Sequence, residues 1–410
     1  MTNAFCRASA AASGIGAIAA VCLGLWSCPA ALAATAKLSD QPVFASSDVP
    51  GNLALALSVE YPTAISVANL NDYADATEYL GYFDPRKCYT YTYVEPAVKN
   101  GAASDSYFQP AGASTGTNKH SCSGQWSGNF MNWATMQTID PFRWALSGGY
   151  RSVDTTSETI LEKAWGSSQG NTTNFPLRGT DQGNGHKLPK ALVSAVTPFS
   201  NWNNFNTSIW SRGNTMVFTG TGDPTGAGAD LVKLDAANSA KRANDVYQVY
   251  VRVKVCDTSA GAGGVEANCV KYGTNYKPEG LLQQNANKIR YGTFSFLNAG
   301  GIAQQGGVMR APMGFIGPTY PQPLSTAVVT NTRGEWDATT GIMNTNPDAV
   351  SATASGVAQS GVMNYLNKFG QSAKNYMMYD NVSELYYAAV RYFENLGNVP
   401  EWTNSVAAGV

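Results

Sequence analysis

Trp126-Ser-Gly-Asn-Phe130-Met-Asn-Trp133-Ala-Thr-Met136-Gln-Thr-Ile139-Asp140-Pro-Phe142-Arg143-Trp-Ala-Leu146-Ser-Gly148-Gly149 is the stretch on which the fold class turns. Met136, Ile139, Phe142 and Leu146 recur near helical spacing. Asp140-Pro141 has the chemistry of an N-cap followed by proline at the first helical position. The pattern predicts two helices meeting there, the second stopped by Gly148-Gly149. Thr155 and Glu158 then stand at capping-box spacing ahead of Ile160, Leu161 and Trp165, which predicts a further helix.

Outward from this stretch the periodicity changes. Asn52-Leu-Ala-Leu-Ala-Leu-Ser58 is a short apolar run suited to a buried strand. Cys88-Tyr-Thr-Tyr-Thr-Tyr93 alternates, which puts three tyrosines on one strand face. Val246 to Cys256 is the clearest strand, with Val249, Val251, Val253 and Val255 on one side and Gln248, Tyr250, Arg252 and Lys254 on the other. It is expected to pair with a strand around Val265–Tyr272, and Lys288 to Leu297 reads as another strand. The far end is helical over Gly361–Phe369 and Asn381–Leu396. In the second of these Leu385, Tyr386, Ala389, Phe393 and Leu396 form a stripe, and Asn381 with Glu384 forms a capping pair. The expected class is α/β with mainly β, loop-rich insertions, at about 60–125 and 166–285.

The first 33 residues read as an address. Arg7 precedes an apolar stretch from about Ala8 to Leu25, Pro29 breaks it, and Ala31-Leu-Ala33 is a small-x-small cleavage site. A retained anchor is the alternative reading. A lipoprotein site at Cys28 would need a small residue where Trp26 stands. Residues 34–50 are a polar lead-in, and no later segment is apolar enough to span a bilayer. Removing the signal takes Cys6, Cys22 and Cys28 with it. The four cysteines left suit two disulfides in an exported chain, and three pairings are possible. The favoured one, Cys88 with Cys122 and Cys256 with Cys269, closes two local polar excursions, each worth about 3 kcal/mol on the chain-entropy estimate.

Charge is scarce. There are 27 Lys+Arg, 28 Asp+Glu and two His, so charged residues make up 13% of the chain, and the net charge is −1. That balance offers nucleic acid no attraction, and two histidines cannot build a multi-histidine metal site. Gly112-Ala-Ser114-Thr-Gly116 with nearby His120 matches a nucleophile elbow in spelling, but the expected strand and helix around it are absent from the pattern. Gly220-Thr-Gly222-Asp-Pro-Thr-Gly226 has the wrong spacing for a dinucleotide loop. Glu158 and Glu162 share a helical face in this reading, a geometry unlike that of a glycosidase pair. Asp72, Asp75 and Glu78 form an acidic turn without the spacing of a calcium loop.

The Trp126-Ser127-Gly128-Asn129-Phe130 block with Asn132, Trp133, Asp140, Arg143 and Asp154 resembles the N-terminal region of the PilY/PilC family of type IV pilus biogenesis factors and tip adhesins. Gly81-Tyr-Phe-Asp84-Pro85 with Lys87-Cys88-Tyr89, and Ser383-Glu-Leu-Tyr-Tyr387 with Arg391-Tyr-Phe393, extend the likeness over most of the mature chain. The resemblance implies a von Willebrand factor A-like core followed by a calcium-binding β-propeller. The core would be incomplete here and the propeller absent, so no cofactor is expected in this chain. A metal-dependent adhesion site would carry Asp-x-Ser-x-Ser after its first strand. Here Ser58 holds the Asp position and Glu60 and Pro62 the Ser positions, so the set is degenerate.

The function this implies is non-enzymatic: pilus assembly or tip adhesion by the N-terminal portion of such a factor, through binding to pilin-like or minor pilin subunits or a host surface. The location implied is the periplasm, outer membrane or pilus tip of a Gram-negative bacterium. A secreted carbohydrate-binding or hydrolytic protein is the second reading, drawn from aromatic and Gly/Asn-rich loops. A truncated, non-functional remnant is the third.

Overall fold

The structure, a computed structural model, describes residues 49–58, 66–97, 104–166, 175–183, 186–199, 202, 204–209, 213–220, 232–233, 246–296, 306–322, 327–370 and 382–403. The expected signal peptide, all but the end of the lead-in, Glu60, Pro62, Asn381 and most of the Gly220–Gly226 loop lie outside the described residues.

At the centre lies a six-stranded sheet in the order β4 (Trp126–Ser127), β2 (Lys87–Thr92), β3 (Tyr107–Ala113), β12 (Arg252–Val255), β6 (Thr159–Glu162) and β5 (Arg151–Asp154). Its pairings are antiparallel except for β3 with β12. A five-stranded sheet runs β10 (Val232–Lys233), β11 (Val246–Tyr250), β9 (Thr215–Thr219), β8 (Asn206–Ile209) and β7 (Arg178–Gly179). A three-stranded sheet pairs β1 (Gly51–Leu57) in parallel with β15 (Ile289–Phe296), which pairs in antiparallel fashion with β16 (Gly307–Gly314). Two hairpins complete the β structure: β13 (Cys269–Tyr272) with β14 (Asn275–Pro278), and β17 (Thr319–Pro321) with β18 (Val328–Thr330). The architecture is mixed α/β and mainly strand, with neither a closed barrel nor a propeller among the described residues.

Helices α1 (Gly128–Thr135) and α2 (Ile139–Ser147) meet as the sequence predicts, but at a different joint. Ser127 caps α1 by accepting from the backbone N–H of Phe130, and Thr138 precedes α2. Asp140 is therefore the second residue of α2 rather than its N-cap. Its carboxylate still reaches back to accept from the N–H of Gln137, the residue before the N-cap, and so fixes the chain's entry into the helix. Gly148 ends α2 in the left-handed region at φ 79°, its N–H returning to Trp144. All eight residues of α1 are buried, so this helix presents no face to solvent.

The predicted third helix is a strand. Thr155 Oγ1 accepts from the N–H groups of Ser157 and Glu158, folding 155–158 into the turn between β5 and β6. The threonine that looks like a helix cap is a turn residue, because its hydroxyl serves either geometry. The Val246–Cys256 run divides at Val251: β11 joins the five-stranded sheet and β12 the six-stranded one. Most of both sides of the run is buried, since Gln248, Tyr250 and Arg252 are enclosed along with the valines, and only Lys254 is partly exposed. Its expected partner pairs elsewhere, β13 turning back on β14. The disulfide Cys256–Cys269 joins the two regions, and Cys88–Cys122 is the second link. Strand β1 is less buried than its apolar run suggests: only Leu57 is enclosed, and Leu53 is 43% exposed.

The short helices are α3 (Val193–Val196), α4 (Leu281–Gln284) and α5 (Ala349–Ser355). Helices α6 (Val362–Lys368) and α7 (Val382–Phe393) pack on the three-stranded sheet, and α8 (Pro400–Thr403) follows. Leu385 and Ala389 of α7 are buried against Phe294 and Phe296, whereas Tyr386, Phe393 and Leu396 of the predicted stripe are exposed. Glu384, read as half of a capping pair, accepts instead from the N–H of Gly306.

Glu335 caps α6 from a distance. Its two carboxylate oxygens accept from the N–H groups of Val362 and Met363 at 2.6 and 2.7 Å. Burial outweighs those two bonds and pushes its pKa up from 4.5 to about 7. The folded state thus holds this proton more tightly than the unfolded chain does. The stabilisation is complete below about pH 4.5 and is lost as pH rises through about 7. Thermal melts between those values should show Tm falling with pH, and Glu335→Gln should flatten that dependence.

Candidate functional site: a buried motif beneath a surface cleft

The block that distinguishes this sequence sits in the interior. Trp126, Ser127, Asn129, Phe130, Asn132 and Trp133 are all buried. The two asparagines act as struts for the segment 71–83, which has no regular structure of its own. Asn129 Oδ1 accepts from Tyr79 N, and its amide donates to Thr77 O. Asn132 Oδ1 accepts from Phe83 N, and its amide donates to the carbonyls of Tyr79 and Phe83. Trp133 Nε1 donates to Asn71 O. A side-chain amide has both donor and acceptor, so one asparagine replaces the strand partner that the loop lacks. Gly81 passes so close to Asn132 that a Cβ there would lie 2.3 Å from Oδ1. Gly128 likewise packs on the Asp84 carbonyl.

Asp140 and Arg143 form a fully buried ion pair at 3.0 Å. Arg143 places its five donors on five acceptors: Tyr82 OH, Asp140 Oδ1, and the carbonyls of Glu162, Asn367 and Phe369. Burial works against its charge, but Tyr82 and Asp140 raise its pKa above the ordinary value, so it stays ionised. Asp140 Oδ1 also accepts from Ala164 N at 2.7 Å. Beside it Lys163, wholly enclosed, donates to Gln137 Oε1 and to Ala164 O, both at 2.6 Å. Asp154 stands apart from this group. It binds Lys277 at 2.6 Å and Arg151 at 3.1 Å, and it accepts from Met343 N, tying β5 to two later segments.

The sequence singles out Asp140, Arg143 and the asparagines, includes Tyr82 and Lys163 only as members of the family-like runs Gly81–Pro85 and Thr159–Ala164, and misses Gln137 and Arg178. Arg178 is buried over the Trp133 ring at 4.5 Å and donates to the carbonyls of Trp133 and Asn69. Burial lowers its pKa to about 9. Nothing in the sequence marks Arg178 or Lys163 as buried, since a lone Lys or Arg reads as solvated surface.

Outside the motif, the segment it supports forms one wall of a cleft of about 470 Å³, with Trp144, Leu161, Val255 and Glu266 among the other lining residues. Leu80 lines it and is 56% exposed. The remaining candidates do not converge. Ser114 donates to Lys119 O and His120 Nδ1 meets Asp75 O, so neither is engaged with the other. Glu158 lies in a turn and Glu162 in β6, where burial raises its carboxyl pKa and Trp165 and Arg252 hold it. Asp72 accepts from Lys187 N, Asp75 from Asn118, and Glu78 pairs with Arg86. Ser58 follows the buried end of β1. Cys256, Glu266 and Cys269 lie close enough to suggest a metal site, but both sulfurs are committed to the disulfide and Glu266 to Lys87 at 2.8 Å.

Comparison with known proteins places this arrangement. A family profile described as the PilY1 homolog, small alpha/beta domain, matches residues 71–221, the span holding the struts and the ion pair. A type IV pilus biogenesis factor PilY1 homolog of Xylella fastidiosa is 43% identical over 394 residues, covering 91% of this chain. The chain belongs with the PilY/PilC family. A second Xylella fastidiosa PilY1 homolog is 27% identical over 249 residues, covering 53% of this chain. The chain spans 30% of the first relative's length and 15% of the second's. No solved structure matches it.

Removing the Asn132 side chain leaves three buried backbone groups without partners, at a cost of about 3 kcal/mol or more. Asn132→Ala is therefore expected to lower the urea midpoint strongly. Gly81→Ala, which drives a methyl group into that same amide, should do so too.

Proposed function

We propose that the chain is a non-enzymatic part of a type IV pilus biogenesis factor, acting in the cell envelope or at the pilus by binding pilin-like subunits or a surface. The 43% identity over nearly the whole chain to a protein of that description carries the reading. The structure supports a binding role in one respect. The motif residues spend their polar groups on one another and on loop backbone, so their work is to hold a shape. That shape is the 71–86 segment and its cleft, which we take as the contact surface.

The parallel β1–β15 pair, with α6 and α7 packed on its sheet, is the part we read as the von Willebrand factor A-like core that the resemblance implies. Among the described residues no helix is long and apolar enough to cross a membrane.

Deleting the gene from its bacterium should reduce pilus number or surface attachment severalfold. Normal pili together with normal attachment would overturn the reading. Leu80→Asp changes the cleft without touching the buried struts. It should leave Tm unchanged yet fail to restore attachment in the deletion strain.

A further inference from the structure

Lys163 and Gln137 face each other in a sealed chamber. Both are 0% exposed, as are Asp140, Arg143 and Ala164 around them. Lys163 Nζ lies 2.6 Å from Gln137 Oε1, and its other partner is the carbonyl of Ala164. Both acceptors are neutral, so among the described residues no carboxylate directly bonds this amine. Gln137 is fixed from the remaining sides: its Nε2 donates to Trp165 O, and its backbone N–H donates to Asp140 Oδ2. An amine and a carboxamide are thus held together away from water, with a carboxylate bonded to Gln137 on one side and to Ala164, the residue after Lys163, on the other.

We propose that Lys163 and Gln137 join through an intramolecular isopeptide bond formed by the folded chain itself. Nζ attacks the Gln137 Cδ, the Cδ–Nε2 bond breaks, and an amide forms between the two side chains. The proton that Nζ gives up passes to the departing nitrogen, which leaves as ammonia. Nothing is oxidised or reduced and no co-reactant is needed. Burial supports the step by lowering the pKa of Lys163 to about 8, which raises the fraction of neutral, nucleophilic amine. Fixed proximity removes the entropic cost of bringing two weak reactants together, and exclusion of water suppresses hydrolysis of the amide. The bond would tie the α1–α2 joint to the chain just after β6. Unlike the two disulfides, it would survive reducing agents.

Mass spectrometry of the mature, exported chain tests this directly. After reduction, the intact mass should fall one ammonia below that of the sequence. A tryptic digest should yield a branched peptide containing Gln137 and an uncleaved Lys163. Gln137→Glu should lose one water relative to its own sequence, and Gln137→Ala should show its full mass and melt earlier. Unlinked Gln137 and Lys163 peptides at full mass, from chains whose two disulfides have formed, would overturn the proposal. So would loss of ammonia that persists in Gln137→Ala.

Discussion

Arg143 carries a permanent charge to a place without water, and much of the molecule is arranged around that constraint. A guanidinium cannot escape by losing its proton, so each of its donors must find an acceptor. Asp140 supplies the countercharge from the same helix, Tyr82 comes from the loop, Glu162 offers its carbonyl from β6, and Asn367 and Phe369 offer theirs from the end of α6. One side chain therefore joins segments more than two hundred residues apart in sequence. Asp140 is shared in turn, since it also holds Gln137 and Ala164. Loss of either partner would leave the other charge buried and unpaired, which is far costlier than replacing both with apolar groups.

Several of the chain's few charged side chains are interior: Lys87 with Glu266 and Arg143 with Asp140 are buried pairs, and Lys277 is buried against the half-buried Asp154. Charges used in this way do not solvate a surface, and they fix which segments may lie side by side. The asparagine struts do a related job with neutral groups. Together they let a long stretch without secondary structure, 66–86, keep a defined form beneath an exposed rim.

Legibility varied with how local the deciding force was. The stop of α2 at Gly148 could be read because a left-handed residue at a helix end needs glycine. Thr155–Glu158 was misread because a hydroxyl that can cap a helix can equally close a hairpin; β5 and the neighbouring β12 decide the matter. The alternation in Val246–Cys256 marked a strand correctly, but not its division between two sheets, since the partner strands β9, β3 and β6 lie far away in the chain. In α7 the aromatic stripe suggested one buried face. Leu385 and Ala389 fill that contact against Phe294 and Phe296, while Tyr386 and Phe393 stay outside.

The sequence alone determined the local devices, the helix pair around Asp140 and the residue block that marks the family, and it favoured Cys88–Cys122 with Cys256–Cys269 among three possible pairings, which the structure then shows. Each depends on neighbours within a few tens of residues, where chain connectivity restricts the choices. The tertiary structure decided which polar groups lose their water. Lys163 and Arg178 look like ordinary surface residues in sequence, and only the closure of distant strands and loops around them makes their hydrogen bonds obligatory. Burial is a property of the assembled chain, and it is what commits the polar groups of this family block to holding distant segments together.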